Sequence, residues 1–312
     1  MFLIMRIKAM PALLLASAAV LAWGLCAPRH LVAGDESGPD VETHRAAIEE
    51  WRLRRDQRLR DPDGWLTLVG LDWLKDGPNR VGSDENSDVQ LPGGPGYWGT
   101  VYVEPEGLRF VRADDPAVSV DDTLTNEGAM LSDVDGTPTR VRSGSLSFYP
   151  IWRESYALRV KDTQSPVLLA FDGIDNYDIQ RSWWTEGRLI PAEKDETIEI
   201  ANVQGQVVAE PVLGTFEFEK DGKTHRLLVQ LTDDPPVPWI IFNDRTNSHG
   251  TYGAGRYVYV DLVTADNRVV VDFNKAYNPP CAFTDYATCP IPPQQNRLDL
   301  AVTAGEKDFH SH

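Results

Sequence analysis

Beyond about residue 65 the chain contains no stretch long and periodic enough for an amphipathic helix, and this limits the fold to a mainly β architecture. Runs such as WLTLVGLDWL (65–74), TVYVEPEGLRFV (100–111), SLSFYPIW (145–152) and YALRVKD (156–162) are short and rich in β-branched and aromatic residues. Gly, Pro and Asp punctuate them, as strand boundaries require. Further strand patterns cover 239–242, 256–262, 268–273 and 298–302. With no helices alternating between them, antiparallel pairing is expected rather than a parallel α/β sheet. The sharpest local expectation is a hairpin, in which TFEFEK and THRLLVQL flank Asp221-Gly222, a dipeptide suited to the positive φ values of a type I′ turn. Phe216 and Phe218 alternate with Glu217 and Glu219, so one face is buried and one is wet.

One helix is expected before the strands, from Asp40 to about Leu59. Asp40 can cap it, and Ile48, Trp51, Arg55 and Leu59 recur at three- and four-residue steps on one face. Upstream, Arg6 and Lys8 precede an uncharged apolar run from Ala9 to Ala27, which reads as a secretory signal or an uncleaved N-terminal anchor. Either reading makes this an exported protein: periplasmic, cell-surface or extracellular. The expected organisation is a signal or anchor over 1–34, a helix over 35–60, a first β lobe over 61–145 and a C-terminal β lobe over 146–308. The boundary is placed in TPTRVRSGS, where Pro, Gly and Ser separate two strand patterns. His310 and His312 fall on a tail that reads as frayed.

Charge excludes some partners. The chain carries 47 acidic against 30 basic residues, for a formal charge of −17. No basic footprint for nucleic acid exists, nor one for anionic lipid beyond the N-terminal segment. Neither a G-x-S-x-G elbow nor an H-E-x-x-H helix is present, and the cysteines lack the two-residue spacing and paired histidines of a strong zinc site, so no metal or cofactor is expected. Ser248 and His249 are neighbours in sequence, which is no sign of a triad. His225 reads as a half-exposed strand residue. Of the adjacent Trp183 and Trp184, one must face away from the core.

The segment NRVGSDENSDVQLP (79–92) resembles the start of a forkhead-associated domain, in which a glycine-containing turn leads into an Asp-Val-x-Leu strand. The resemblance implies a β-sandwich for the first lobe. That family reads phosphothreonine with a basic residue after the glycine and a downstream Ser and His. Here Ser83 follows Gly82 and the downstream segment is GPGYWGT, so a scaffold role is expected, with Arg80 the remaining anion contact.

A second resemblance covers essentially the whole chain after the leader. GWLTLVGLDWL and NRVGSD, then TYGAGRY, VDFNKAYNPPCAF, CPIPPQQNRL and AGE, resemble the bacterial family known as domain of unknown function 1684 (DUF1684). This implies an architecture and a region for a site, the C-terminal string, but no substrate.

Read physically, that string holds two unusual loops. Gly250, Gly253 and Gly255 lie between two strand patterns, which suits a wide turn or a nest of N–H groups facing an anion, with Arg245 and Arg256 as charge partners. The loop from Asn274 to Asn296 carries five prolines together with Cys281 and Cys289. In an exported chain these cysteines read first as a disulfide, contributing about 2–3 kcal/mol by loop closure; free thiols, a nucleophile or a metal site are the other readings.

The sequence therefore points to a mainly β protein, a helix followed by two antiparallel lobes, that binds a small polar or anionic ligand between these loops. The candidate ligand residues are Arg245, Arg256, Asp272, Asn274, Tyr277 and Asn278. A hydrolase using Tyr277, Asp272 or a cysteine is one alternative. A structural module with an exposed apolar patch around Trp183 is another.

Overall fold

The computed structural model describes residues 38–121, 126–232, 236–262 and 266–309. The leader, the signal or anchor reading placed on it, and His310 and His312 lie outside the described residues. No helix among the described residues is long and apolar enough to cross a membrane. The architecture is mainly β behind one long helix.

Helix α1 spans Val41–Arg60, and Asp40 caps it by accepting from the N–H groups of Glu42 and Thr43, both at 3.1 Å. These are two of the orphan donors every helix N-terminus leaves open. Its buried residues are His44, Ile48, Arg55 and Leu59, so the inward stripe mixes apolar and polar side chains. Trp51 is half-buried against Ile241, Tyr257 and Tyr277.

Among the described residues ten strands follow: β1 (Leu68–Trp73), β2 (Gly77–Gly82), β3 (Val89–Gln90), β4 (Gly99–Glu104), β5 (Gly107–Arg112), β6 (Ser119–Val120), β7 (Glu127–Met130), β8 (Val141–Ser143), β9 (Leu146–Trp152) and β10 (Tyr156–Asp162). They form two five-stranded sheets, ordered β1-β10-β9-β8-β6 and β3-β2-β4-β5-β7, and antiparallel except for the short β2–β3 pair. Val141, Leu146, Phe148, Leu158 and Val160 from the first sheet meet Val81, Val101, Leu108 and Phe110 from the second in one buried core. Phe148 stands edge-on to Phe110, with centroids 5.9 Å apart, and its ring lies at the same distance from Trp98. The first lobe is thus a sandwich.

This corrects the boundary expected at residue 145. β9 pairs with β8 and β10 pairs with both β9 and β1, so the sandwich runs to Asp162. Gly144, at φ 60°, turns the chain between β8 and β9 rather than linking two lobes.

A short helix, α2 (Pro166–Ala170), leads to the second lobe. Its strands are β11 (Trp184–Pro191), β12 (Thr197–Ala201), β13 (Val207–Lys220), β14 (Lys223–Leu231), β15 (Pro238–Phe242), β16 (Arg256–Tyr259), β17 (Asp261–Leu262) and β18 (Arg268–Asp272). The order is β16-β15-β14-β13-β11-β18-β17, with β12 paired to β13. Since β17 continues β16 after a single residue, the stretch that borders β15 at one end borders β18 at the other. The sheet therefore curls round on itself, which shields its edges. Phe216, Phe218, Leu227, Val229, Phe242, Val258, Val271 and Phe273 share one core, together with alternate residues Leu298, Leu300, Val302 and Ala304 of the C-terminal segment.

The expected hairpin forms in the expected register, Lys220 opposite Lys223, with Asp221 at φ 51° and Gly222 at φ 71°. Two neighbouring expectations change. His225 is buried and stacked on Phe218 at 5.3 Å rather than half-exposed. Trp183 is buried, edge-on to Phe273 at 5.9 Å, so no apolar patch centres on it; Trp184 faces outward under the Arg181 guanidinium, 4.1 Å from its ring.

Phe216→Ala removes a fully buried ring from the second core, and is expected to cost about 3–5 kcal/mol in urea unfolding with the m-value unchanged.

Candidate functional site

In β10 alternate residues face opposite ways. Leu158 and Val160 enter the sandwich core, and Ala157, Arg159 and Lys161 point outward with Tyr149 and Ile151 of β9. An outward strand face with two basic residues would ordinarily be wet. Here the rest of the chain covers it: Thr284 Oγ1 donates to the Leu68 carbonyl at 3.0 Å, Gln206 Nε2 donates to the Arg153 carbonyl at 2.5 Å, and Lys161 donates to the Asp63 carbonyl. The result is five consecutive buried residues, Ala157 to Lys161.

Two adjoining clefts remain where the lobes meet. The larger, about 850 Å³, runs from the β9–β10 turn to the β12–β13 arm and the Cys289-Pro290 segment. Its walls are largely apolar: Trp152, Ile200, Val207, Val208 and Leu231 line it, and Arg153, Glu154, Asp133 and Arg159 add charge. The smaller, about 490 Å³, is walled by Tyr257, Tyr259 and Tyr277, with Arg55, Arg58, Asp61 and Asp63 alongside. Trp65, Trp239, Tyr257 and Pro280 line both clefts. The rings brace one another: Trp239 stands edge-on to Tyr257 at 5.0 Å, and Tyr259 stacks on Tyr277 at 5.6 Å. Burial holds the Tyr257 and Tyr277 hydroxyls well above the usual phenol range, so both stay protonated.

Three arginines are buried among the described residues. Arg55 pairs with Glu306 at 2.9 Å, and Arg256 with Asp244 at 2.8 Å. Arg159, 6 % exposed, has no carboxylate partner among the described residues. Its Nη2 donates to Thr288 Oγ1 at 3.2 Å, its guanidinium lies 5.2 Å from the Trp65 ring, and its Nε is buried with no acceptor. A buried cation without a counter-charge costs several kcal/mol. Lys161, two residues on, is depressed from 10.5 to about 8, by burial first, and also by Arg140 and Arg159 against the opposing pull of Asp63.

The residues expected from sequence do not converge on one cavity. Arg256 is fully buried, and donates to the carbonyls of Ala304 at 2.5 Å and Val302 at 2.8 Å besides Asp244. Arg245 is exposed on another surface and paired with Asp299. Asp272 accepts from Asn274 N at 3.1 Å and bonds His44 of α1 at 2.8 Å, while the Asn274 side chain both donates to and accepts from Gln180 backbone at 2.9 Å. Asn278 is buried, with its N–H donated to Glu306 Oε2 at 2.7 Å and its side chain to the Lys307 carbonyl. Four of the six, Arg256, Asp272, Asn274 and Asn278, therefore spend most of their polar groups holding the C-terminal segment and α1 in place, with only Arg256 Nε and Asn278 Oδ1 left unpartnered. Of the six, Tyr277 alone lines either of these two clefts, while Arg245 lines a separate one of about 380 Å³ beside Gly253.

The glycine loop serves backbone approach. A side chain on Gly255, at φ 102°, would meet the Phe242 carbonyl at 2.7 Å and Pro292 at 2.5 Å. Cys281 and Cys289 form the expected disulfide, with Cα atoms 6.2 Å apart. It staples the segment that carries Thr288 and Pro290.

Comparison with family models matches DUF1684, described as a protein of unknown function, over residues 169–307. Among solved structures, an uncharacterised protein of Haloarcula marismortui determined by solution NMR is 30 % identical, over 44 % of this chain and 77 % of its own, with a TM-score of 0.37. The chain belongs to the DUF1684 family. A search of curated proteins found no match. The family match takes in Trp239, Tyr257, Tyr277 and the disulfide, and begins after Arg159. None of these matches supports the forkhead-associated resemblance, and Arg80 lies over the Tyr97 ring at 4.1 Å with Asp84 beside it.

Nothing in the sequence marks Arg159 itself: alternation along YALRVKD puts Arg159 and Lys161 on one face, which by itself predicts a wet one. The available signal that the face is covered was Ala157 and Ile151, whose apolar side chains share it.

Two outcomes check this account. Asp244→Asn is expected to cost about 3–5 kcal/mol, since it strips the charge partner from fully buried Arg256. For Lys161, the folded pKa lies below the unfolded one, so the unfolded chain binds more protons between about pH 8 and 10.5 and stability rises with pH across that window. Urea midpoints of the natural protein should gain on those of Lys161→Met as pH increases there.

Proposed function

We propose that this protein is an exported binding protein for a small organic anion, held between the lobes with Arg159 as its charge contact. The observation that carries the reading is Arg159 itself: a buried, carboxylate-free guanidinium on the wall of a largely apolar cleft. A cavity of this size with a few convergent polar groups is the usual form of a small-molecule site. An anion entering it would gain a charge-assisted hydrogen bond and relieve the cost of the unpaired cation. Export is supported by the basic-then-apolar leader and by the disulfide, which persists in oxidising compartments.

A hydrolase reading has less support. The two cysteines are bonded to each other, Tyr277 stays protonated, and both Asp272 oxygens are engaged within the core. The structural-module reading rested on an exposed Trp183, which is buried.

The test is thermal unfolding against aryl and alkyl carboxylates, inorganic phosphate and chloride, with Arg159→Met beside the natural protein. At a hundredfold excess over Kd a true ligand stabilises by about 2.7 kcal/mol. At least one organic anion should shift the natural protein and leave Arg159→Met unmoved. The ligand-free variant should be at least as stable as the natural chain, because it loses a buried unpaired charge. A shift that survives Arg159→Met overturns the assignment.

A further inference from the structure

We infer that the anion is an aromatic monocarboxylate, its carboxylate set against Arg159 and Trp239 and its ring in the smaller, tyrosine-walled cleft. This rests on the reading of Arg159 as the anion contact, and adds the ligand's charge, polarity and shape.

The polarity follows from what the walls leave unpaired. Among the residues lining the two clefts, the buried polar side-chain atoms without a partner are Arg159 Nε and Trp239 Nε1. Both are donors. Gln230, the cross-strand partner of Trp239, also has an unpartnered amide but lines neither cleft. Both atoms are shielded from the open cleft, so a ligand meets them only by a side-chain shift; walls whose orphan groups are donors suit a ligand that accepts hydrogen bonds at one end and donates none. A sugar or a protonated amine would bring donors that the walls do not meet.

Charge follows from the rim. Arg153 is paired with Asp133 at 2.9 Å, and Glu154 and Glu210 stand on the same wall. Among the described residues only Arg159 offers uncompensated positive charge to the larger cleft, so one negative charge is balanced there and a second would face these carboxylates. A monoanionic carboxylate meets this condition; a dianionic phosphate ester does not.

Shape follows from the wall the clefts share. Trp65, Trp239 and Tyr257 lead from the Arg159 side into the space bounded by Tyr259 and Tyr277, so a ligand anchored at Arg159 would lay its body among ring faces and edges. Aromatic pairs in offset or edge-on contact are favoured beyond their area burial, which an alkyl chain would not gain.

The test is calorimetric titration of the full chain with naphthylacetate, its neutral counterpart naphthylethanol, naphthyl phosphate and octanoate. Naphthylacetate should bind at least about tenfold more tightly than each of the other three. Arg159→Met should abolish the preference for naphthylacetate over naphthylethanol. Tyr259→Leu, at a partly exposed position that should leave the fold intact, should weaken naphthylacetate and leave octanoate unchanged. Octanoate binding as tightly as naphthylacetate would overturn the aromatic assignment while the anion reading stands. Tighter naphthyl phosphate would overturn the single-charge assignment. Naphthylethanol binding equal to naphthylacetate, or no binding of any acid, would overturn the anion reading together with this one.

Discussion

The buried pair between Arg55 of α1 and Glu306 near the chain's end is the contact on which the arrangement around the clefts depends. Arg55 Nε meets Glu306 Oε1 at 2.9 Å, its Nη2 reaches the Asn278 carbonyl at 2.9 Å, and its guanidinium lies 5.0 Å from the Tyr277 ring and 5.6 Å from Phe283. The other oxygen of Glu306 holds the Asn278 N–H. Helix, C-terminal segment, proline-rich loop and tyrosine wall thus meet at one charged node. The node is costly to desolvate and stable only because nearly every lone pair and proton is matched. His44 with Asp272 fastens the other end of α1 in the same way.

Against that background Arg159 is the exception that suggests function. Arg55 and Arg256 show how this fold treats a buried guanidinium, with a carboxylate within 3 Å and backbone carbonyls taking further donors, although Arg256 Nε, like Arg159 Nε, has no acceptor. Arg159 has a hydroxyl, a tryptophan face and a cleft. The overall charge of −17 works against a polyanion at long range, although at physiological salt that field is largely screened beyond about 8 Å. Local charge at the cleft therefore decides what can bind.

Much of the fold was legible in the sequence, where the determining interactions are local. The Asp40 cap, the one-faced spacing of Ile48, Arg55 and Leu59, and the Asp221-Gly222 turn each depend on residues within a few positions of one another. The disulfide was legible for the same reason, since a short loop brings its cysteines close. The lobe boundary was not. The β8–β9 connection carries the same Gly and Ser that an interlobe linker would, and only the pairing of β10 with β1, some ninety residues earlier, assigns it to the sandwich. The candidate site misled for a related reason. Polar residues crowd the segment from Arg245 to Asn278, but Arg256, Asp272, Asn274 and Asn278 are consumed by distant partners, Val302, His44, Gln180 and Glu306, that sequence spacing does not reveal.

Sequence alone determined the strand-rich class, the single long helix and its cap, the hairpin turn and the alternation that puts Arg159 and Lys161 on one face of β10. Tertiary structure alone decided what covers that face. Side-chain periodicity states which way a residue points, whereas burial is a property of whatever packs against it. Here the cover comes from the 61–65 turn, the 284–290 segment and the Gln206 side chain. That cover turns two ordinary surface cations into a depressed lysine and an unpaired buried arginine.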